Sequence, residues 1–396
     1  MAFLSEATRD YRLKLMRKMM DASNLDALAF TSADFFQFAT NFATDVQVWE
    51  RPILCVVPRS GRTFVIINEL STNHWRSATE NDRLWVNAVS IYAEHRRAGT
   101  QIPLLTGWCD FVADRLEEEG LGKARIGAES VSGPLARAVE QLSGARLEPV
   151  LEQMRALRWI KNPEEIQLMR ELAALTDWVQ DRYRENIRPG REVHELDTSM
   201  MAMMGAEAAK RFPGENLEIL RCWTLSGPAS ASPHGDGRQV GARIETGHSL
   251  INLIIPRLNG IVIENERTWF CGKPTLEQTR YFEVARVANQ AAAHAAVAGR
   301  PVSGIDDAAQ AVIEGAGYGH LIFHRTGHGI GTLGHEYPHD MAFNSRPLYE
   351  NEVYSAEPGI YVYGLGGFRK DDTVLVGKHP EVLTKAPGDL LSQTVL

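Results

Sequence analysis

Residues 324–336 read His324-Arg325-Thr326-Gly327-His328-Gly329-Ile330-Gly331-Thr332-Leu333-Gly334-His335-Glu336. Glycine lacks a Cβ, so a run this rich in it lets one backbone approach another closely and turn tightly. Imidazoles set among those glycines can act as metal ligands, hydrogen-bond donors or acid–base groups near neutral pH. A lone histidine is more often structural. Three within 12 residues, interleaved with four glycines, point to a functional loop. His324, His328 and His335 are therefore the first candidate site residues.

Acids flank this loop on both sides. Downstream, Glu357 stands in Tyr354-Ser355-Ala356-Glu357-Pro358-Gly359-Ile360, and Asp371-Asp372 follow Arg369-Lys370 and lead into apolar Thr373-Val374-Leu375-Val376. Upstream, residues 252–268 hold two apolar runs around Asn259-Gly260, the signature of a two-residue hairpin turn. Glu264 and Glu266 end that apolar stretch and share one face by the strand period of two. Acids closing an apolar run are more telling than surface acids, because a buried charge must be compensated. Asn252 opens the same segment, and His234 lies in Ser232-Pro233-His234-Gly235-Asp236-Gly237.

Around these motifs the chain reads as mixed α/β (α+β). Residues 8–24 carry a helical apolar pattern and 27–30 a strand. Residues 53–57 and 63–67 form a hairpin across Pro58-Arg59-Ser60-Gly61-Arg62. Helices are expected near 101–119 and 133–143, with a short strand at 124–127. A boundary follows. Asn162-Pro163-Glu164-Glu165 supplies an N-cap, a proline at the first helical position and acids in the first turn. The helix it starts runs to about Asn186 and is stopped by Arg188-Pro189-Gly190. Strands are expected over 219–273, a helical hairpin over 275–316, and strands with turns over 320–378. Two domains are expected, 1–158 and 159–396, the second with two similar αβ halves.

Composition narrows the function. A net charge of −8 argues against a nucleic-acid partner. No stretch has the uncharged apolar length of a membrane helix, and no signal peptide is evident. The four cysteines include no CxxC pair and read as free thiols in a reducing compartment. A cytoplasmic protein is the expectation.

Taken in order, Arg158-Trp159-Ile160-Lys161 to Glu165, His234, the 252–268 segment, the His–Gly loop, Ser355-Ala356-Glu357-Pro358 and Asp371 resemble the pita-bread family of creatinase, aminopeptidase P, prolidase and methionine aminopeptidase. The resemblance spans nearly the whole chain. It implies a small N-terminal creatinase-like domain, a C-terminal catalytic domain of two pseudo-symmetric halves, and a homodimer in which the N-terminal domain of one chain lies near the active site of the other. In the peptidases of that family two metal ions are held by Asp, Asp, His, Glu and Glu. The matching positions are Asn252, Glu264, His328, Glu357 and Asp371, with one extra residue needed before Glu264.

Only two of these five positions keep their type, and Asn252 loses a charge. The resemblance is then to the metal-free creatinase branch and to ectoine hydrolase. It implies His234 as the proton shuttle and Glu266 and Glu357 as holders of a cationic substrate. His328 and His335 would be donors to the intermediate, while Arg51, Glu264, Asn252 and His324 would bind substrate. The expectation that follows is a metal-independent hydrolase of a C–N bond in a small amidine, guanidino or ureido zwitterion, with no cofactor. The alternative is a metal-dependent Xaa-Pro aminopeptidase or dipeptidase with one or two divalent ions, Mn or Zn, on Glu264, His328, Glu357 and Asp371. A third possibility is an inactive binding protein.

Overall fold

The computed structural model describes residues 3–44, 46–94, 107–237 and 240–395. The chain divides into two compact units, Leu4–Arg158 and Trp159–Leu396. The N-terminal unit contains α1 (Glu6–Ser23), β1 (Ala27–Phe30), α2 (Ala33–Thr40), β2 (Leu54–Pro58), β3 (Phe64–Asn68), α3 (Thr72–Glu80), β4 (Ala88–Tyr92), α4 (Trp108–Glu118), β5 (Arg125–Ala128), α5 (Pro134–Val139), β6 (Arg146–Pro149) and α6 (Leu151–Ala156). Of the helix expected over 101–119, residues 101–106 lie outside the described residues.

The six strands form one sheet in the order β4-β3-β2-β1-β5-β6. β1, β2 and β3 are buried along their whole length, as strands covered on both faces must be. One cover includes Met16, Met20 and Phe36 from α1 and α2. The other includes Trp108, Val112 and Leu116 from α4.

The second unit begins with α7 (Pro163–Asn186) and α8 (Val193–Arg211), followed by β7 (Leu217–Ser226), β8 (Ser249–Leu258), β9 (Ile261–Val262) and β10 (Asn265–Cys271). The same order then recurs with α9 (Leu276–Ala295) and α10 (Ser303–Gly315), followed by β11 (Val353–Ala356), β12 (Gly359–Val362), β13 (Gly366–Arg369), β14 (Asp371–Leu375), β15 (Glu381–Val382) and β16 (Thr394–Val395). Local chemistry sets these elements. At α7, Asn162 accepts from the Glu164 and Glu165 amides while Glu165 returns a bond to the Asn162 amide, a complete capping box. Thr275 and Gln278 do the same for α9. Between β8 and β9, Asn259 and Gly260 both adopt positive φ, 48° and 84°, as a two-residue hairpin turn requires.

The central sheet runs β11-β14-β10-β8-β7. Its register decides what the site can contain. Asp371 pairs with Glu266, Glu266 with Leu253, and Leu253 with Trp223. Directly paired residues share a face. One row across the sheet is therefore Asp371, Glu266, Leu253, Trp223. Ala356 pairs with Asp372, which brings Glu357 alongside Asp371 at the end of that row. On the opposite face Arg267 pairs with Asn252 and Asn252 with Thr224. No helix among the described residues is long and apolar enough to cross a membrane.

Candidate metal centre

The His–Gly loop is pinned against β11. Ile330 donates its amide to Val353, Ser355 to His328, and Glu357 to Thr326. The contact is so close that a Cβ on Gly327 would come within 2.1 Å of the Ser355 carbonyl oxygen, and one on Gly329 within 2.5 Å of that of Tyr337. Only glycine fits there. This clamp fixes His328 over the end of the acidic row.

His328 is buried, and its Nδ1 lies 2.9 Å from the Gly329 carbonyl oxygen. A carbonyl only accepts, so Nδ1 carries a proton and Nε2 is the atom turned towards the acids. That Nε2 lies 3.4 Å from Glu264 Oε2 and 3.4 Å from Glu357 Oε1. His335 stacks on the His328 ring, with centroids 3.8 Å apart. One ligand atom each from Glu264, His328 and His335 fits within 4.8 Å of the others. Among the described residues, neither oxygen of Asp371, nor Oε1 of Glu264, nor Nε2 of His328 has a hydrogen-bond partner. Buried polar atoms are seldom orphaned, and four together make a donor set that could hold a cation.

Electrostatics agree. Burial raises the Asp371 carboxyl, and its neighbours Glu266, Glu264 and Glu357 raise it further, to well above the usual range. Burial works against a His328 cation, yet Glu264 and Glu357 outweigh it and lift its pKa well above that of free imidazole. The pocket thus seeks positive charge, from a proton or from a metal.

Beside the acids lies an ordered polar chain. Arg369, buried at the end of β13, contacts Glu266 Oε2 through Nε at 2.5 Å. Its Nη1 donates to the Tyr361 hydroxyl at 3.1 Å and to the Pro233 carbonyl at 3.2 Å. His324 holds the Arg325 carbonyl with Nδ1 at 2.7 Å, so its Nε2, 2.7 Å from the Tyr361 hydroxyl, accepts that proton. Burial pushes Glu266 up to about 8 despite Arg369, with Glu357 and Glu264 adding to the rise. His234 is exposed on the loop that Pro233 ties to Arg369.

Seven of the nine candidate residues thus lie at or beside one pocket: Glu264, Glu266, Glu357, His324, His328, His335 and His234, with Asp371 from the alternative ligand set. Asn252 does not join them. It donates to Gln180 Oε1 at 2.8 Å and accepts from the Arg267 amide at 3.0 Å, on the helix side of the sheet. This corrects the expected substrate-binding role and the matched metal position: the residue facing the pocket on β8 is Leu253, one step along. Arg51 lies in the N-terminal unit, ion-paired with Glu50 and Glu94, each at 2.5 Å. Sequence reasoning missed Arg369 and Tyr361 as site residues. Arg369 precedes a Lys-Asp-Asp string and reads as an ordinary salt-bridge partner until the strands are paired.

A model of metallopeptidase family M24 matches residues 167–378, more than half of the chain. The chain belongs to this family. The M24 match takes in every pocket residue named above. Among curated relatives, the Xaa-Pro dipeptidase of Pyrococcus furiosus is 31% identical over 236 residues, 59% of this chain and 66% of the relative. The Xaa-Pro dipeptidase of Pyrococcus horikoshii is 27% identical over 274 residues, 69% of this chain and 76% of the relative. The crystal structure of dipeptidase PepE from Mycobacterium ulcerans superposes with a TM-score of 0.80 at 23% identity, covering 99% of both chains. That likeness shows the fold, the mixed α/β pita-bread architecture with its N-terminal domain.

These findings overturn the expectation of a metal-independent amidine hydrolase without a cofactor. The matched family is one of metallopeptidases, and the relatives are named for dipeptide cleavage. The error was to count changed ligand types at Asn252, Glu264 and Asp371 as the loss of a site. The donors that remain still converge, with unpartnered atoms facing one another.

Proposed function

We propose that the chain is a metal-dependent M24 peptidase that hydrolyses dipeptides, Xaa-Pro dipeptides among them. The observation that carries this reading is the convergence of unpartnered Glu264, Asp371 and His328 atoms beside Glu357. The relatives' names support the substrate class.

Glu264, His328, Glu357 and Asp371 would hold the metal, with His335 near enough to join. A divalent ion bound there supplies polarisation of the scissile carbonyl and a nucleophilic water at neutral pH. The Gly329 carbonyl keeps His328 in the tautomer that offers Nε2, as the outer partner of a liganding histidine does. His335, at the open side of the pocket, donates to the developing oxyanion. His234 delivers a proton to the leaving nitrogen. His324, Tyr361 and Arg369 position Glu266 at the floor of the pocket.

The test combines metal content with turnover. Protein purified without chelator is assayed by elemental mass spectrometry, stripped, and given Ala-Pro, Gly-Pro and proline-free dipeptides with and without Mn²⁺ or Zn²⁺. Stripping should abolish cleavage and metal should restore it. Full turnover by verified metal-free protein would sink the reading.

A further inference from the structure

The N-terminal unit holds a cavity of about 360 Å³, lined wholly by its own residues between Thr31 and Leu135. We infer that this cavity is a second ligand site, for a small molecule that joins an ammonium group to an apolar body and an acceptor oxygen, as an amino acid or the amino end of a short peptide does. The inference stands independently of the peptidase reading.

Topology puts the cavity there. β1 pairs with β2 on one side and, in parallel, with β5 on the other. The chain leaves β1 through Thr31-Ser32 into α2, whose Phe35 and Phe36 pack on one face of the sheet. It leaves β5 through residues 129–133 into α5, whose Leu135 and Val139 pack on the other face. The two connections part at the carboxyl ends of adjacent parallel strands. A crevice opens where they separate, the usual place for a ligand in an open α/β sheet. Its volume and its largely apolar walls, Val48, Trp49, Ile53 and Leu135 among them, are those of a small-molecule pocket.

Two polar groups give the ligand its chemistry. The first is the indole of Trp108, which lines the cavity. The residue is buried at the start of α4, and its Nε1 has no hydrogen-bond partner among the described residues. An indole N–H only donates, so what it lacks is an acceptor oxygen. The second is Glu129. The Thr31 amide, the Thr31 hydroxyl and the Ser32 amide donate to its Oε2 at 2.5, 3.0 and 3.0 Å, while Oε1 accepts from the Ser32 hydroxyl alone. The carboxylate is thus fixed in place with one oxygen open to a further donor. Other acids of this unit, Asp26, Asp34, Glu119 and Glu148, each pair with an arginine, and Glu129 has no such partner among the described residues. It is the one charged side chain among the described residues that line the cavity. Trp49, 77% exposed, adds an aromatic face at the open side, which favours a cation beside it.

The experiment follows the indole N–H signals of the full-length protein, made with nitrogen-labelled tryptophan, by nuclear magnetic resonance. The Trp108 signal is identified by its loss in Trp108→Phe. Leucinol, which has no bond a peptidase could cleave, should shift that signal saturably at millimolar concentration. Isohexanol, the same molecule without its amino group, should not. Free leucine is titrated alongside, and the tighter of leucine and leucinol tells whether the source is an amino acid or a peptide's amino end. Glu129→Gln should weaken leucinol binding by at least about tenfold, as loss of a charge-assisted hydrogen bond does. Trp108→Phe, which keeps the ring packing and removes the N–H, should weaken it about fivefold by calorimetry. A Trp108 signal that neither leucinol nor leucine moves, equal shifts with leucinol and isohexanol, or unchanged affinity in either folded variant would overturn the inference.

Discussion

Asp371 and Asp372 are neighbours on β14 and equally buried, yet their surroundings are opposite. Asp372 faces the helices. It accepts from Arg267 Nη2 at 2.9 Å and Thr384 Oγ1 at 2.9 Å, and it is paired with Lys370. Burial alone would raise its pKa, but Arg267 and Lys370 hold it down at about 2. Asp371 faces the pocket, its carboxylate has no hydrogen-bond partner among the described residues, and it sits opposite another acid, Glu266. A buried carboxylate needs a cation. For Asp372 the chain supplies it; for Asp371 the chain supplies none, so the charge is met by a proton or, on the reading proposed above, by a metal. That is the physical difference between a structural acid and a ligand, and here one step of the strand period separates the two.

Substituting each acid by its amide should split their effects. Asp371→Asn removes a metal donor. Turnover of an Xaa-Pro dipeptide should fall by more than the roughly 10–100-fold that loss of a mere outer-shell partner costs. The metal-free protein should keep its urea midpoint or gain, because one of several repelling buried acids has been neutralised. A variant that binds metal normally and stays within threefold of parent activity would break the distinction. Asp372→Asn should do the reverse. It leaves Arg267 buried with a carboxylate lost, a change worth about 3–5 kcal/mol of stability. Urea denaturation of the metal-free form reads it, and a loss under about 1 kcal/mol would show that the backbone carbonyls that also accept from Arg267, those of Ala386, Pro387 and Asp371, suffice.

Much of this was legible in sequence, and the exceptions have physical causes. The capping box at Asn162 and the Asn259-Gly260 turn are local, with side-chain and backbone chemistry that a few residues determine. The shared face of Glu264 and Glu266 follows from period two. The face of Asn252 did not follow, because β8 is buried on both sides and its run Leu250-Ile251-Asn252-Leu253-Ile254 shows no alternation to read. A strand without polar–apolar alternation has no visible parity, and a one-residue slip moves every side chain to the other face. The chain from His324 through Tyr361 to Arg369 joins residues up to 45 positions apart, and only strand pairing brings them together. The metal-free expectation erred in a different way. It judged donors by residue type when their convergence was what mattered.

A third buried acid, Asp197 on α8, falls between the two on β14 and sharpens the comparison at the smallest scale. Its partners are neutral donors: the Thr224 amide at 3.0 Å, the Thr224 hydroxyl at 2.5 Å and the Tyr183 hydroxyl at 3.3 Å. Burial pushes its pKa up to about 6, and the Thr224 and Tyr183 bonds and His194 only partly offset this. The Cys222 thiol, also bonded to Tyr183, is itself pushed up to about 12 by burial and stays neutral. The folded pKa is therefore raised above the ordinary value of about 3.9, and folding takes up a proton between the two. The stabilising contribution is fully present below about pH 4 and is lost as pH rises through 6. Between pH 5 and pH 7 it should shrink by about 1 kcal/mol. Asp197→Asn cannot titrate, so its urea midpoint should change less over that interval than the parent's. Parallel pH profiles for the two proteins would mean that Thr224 and Tyr183 already stabilise the charge as well as water does. Neutral donors would then do for Asp197 what Arg267 and Lys370 do for Asp372, and the need for an outside cation at Asp371 would rest on repulsion from Glu264, Glu266 and Glu357 rather than on burial.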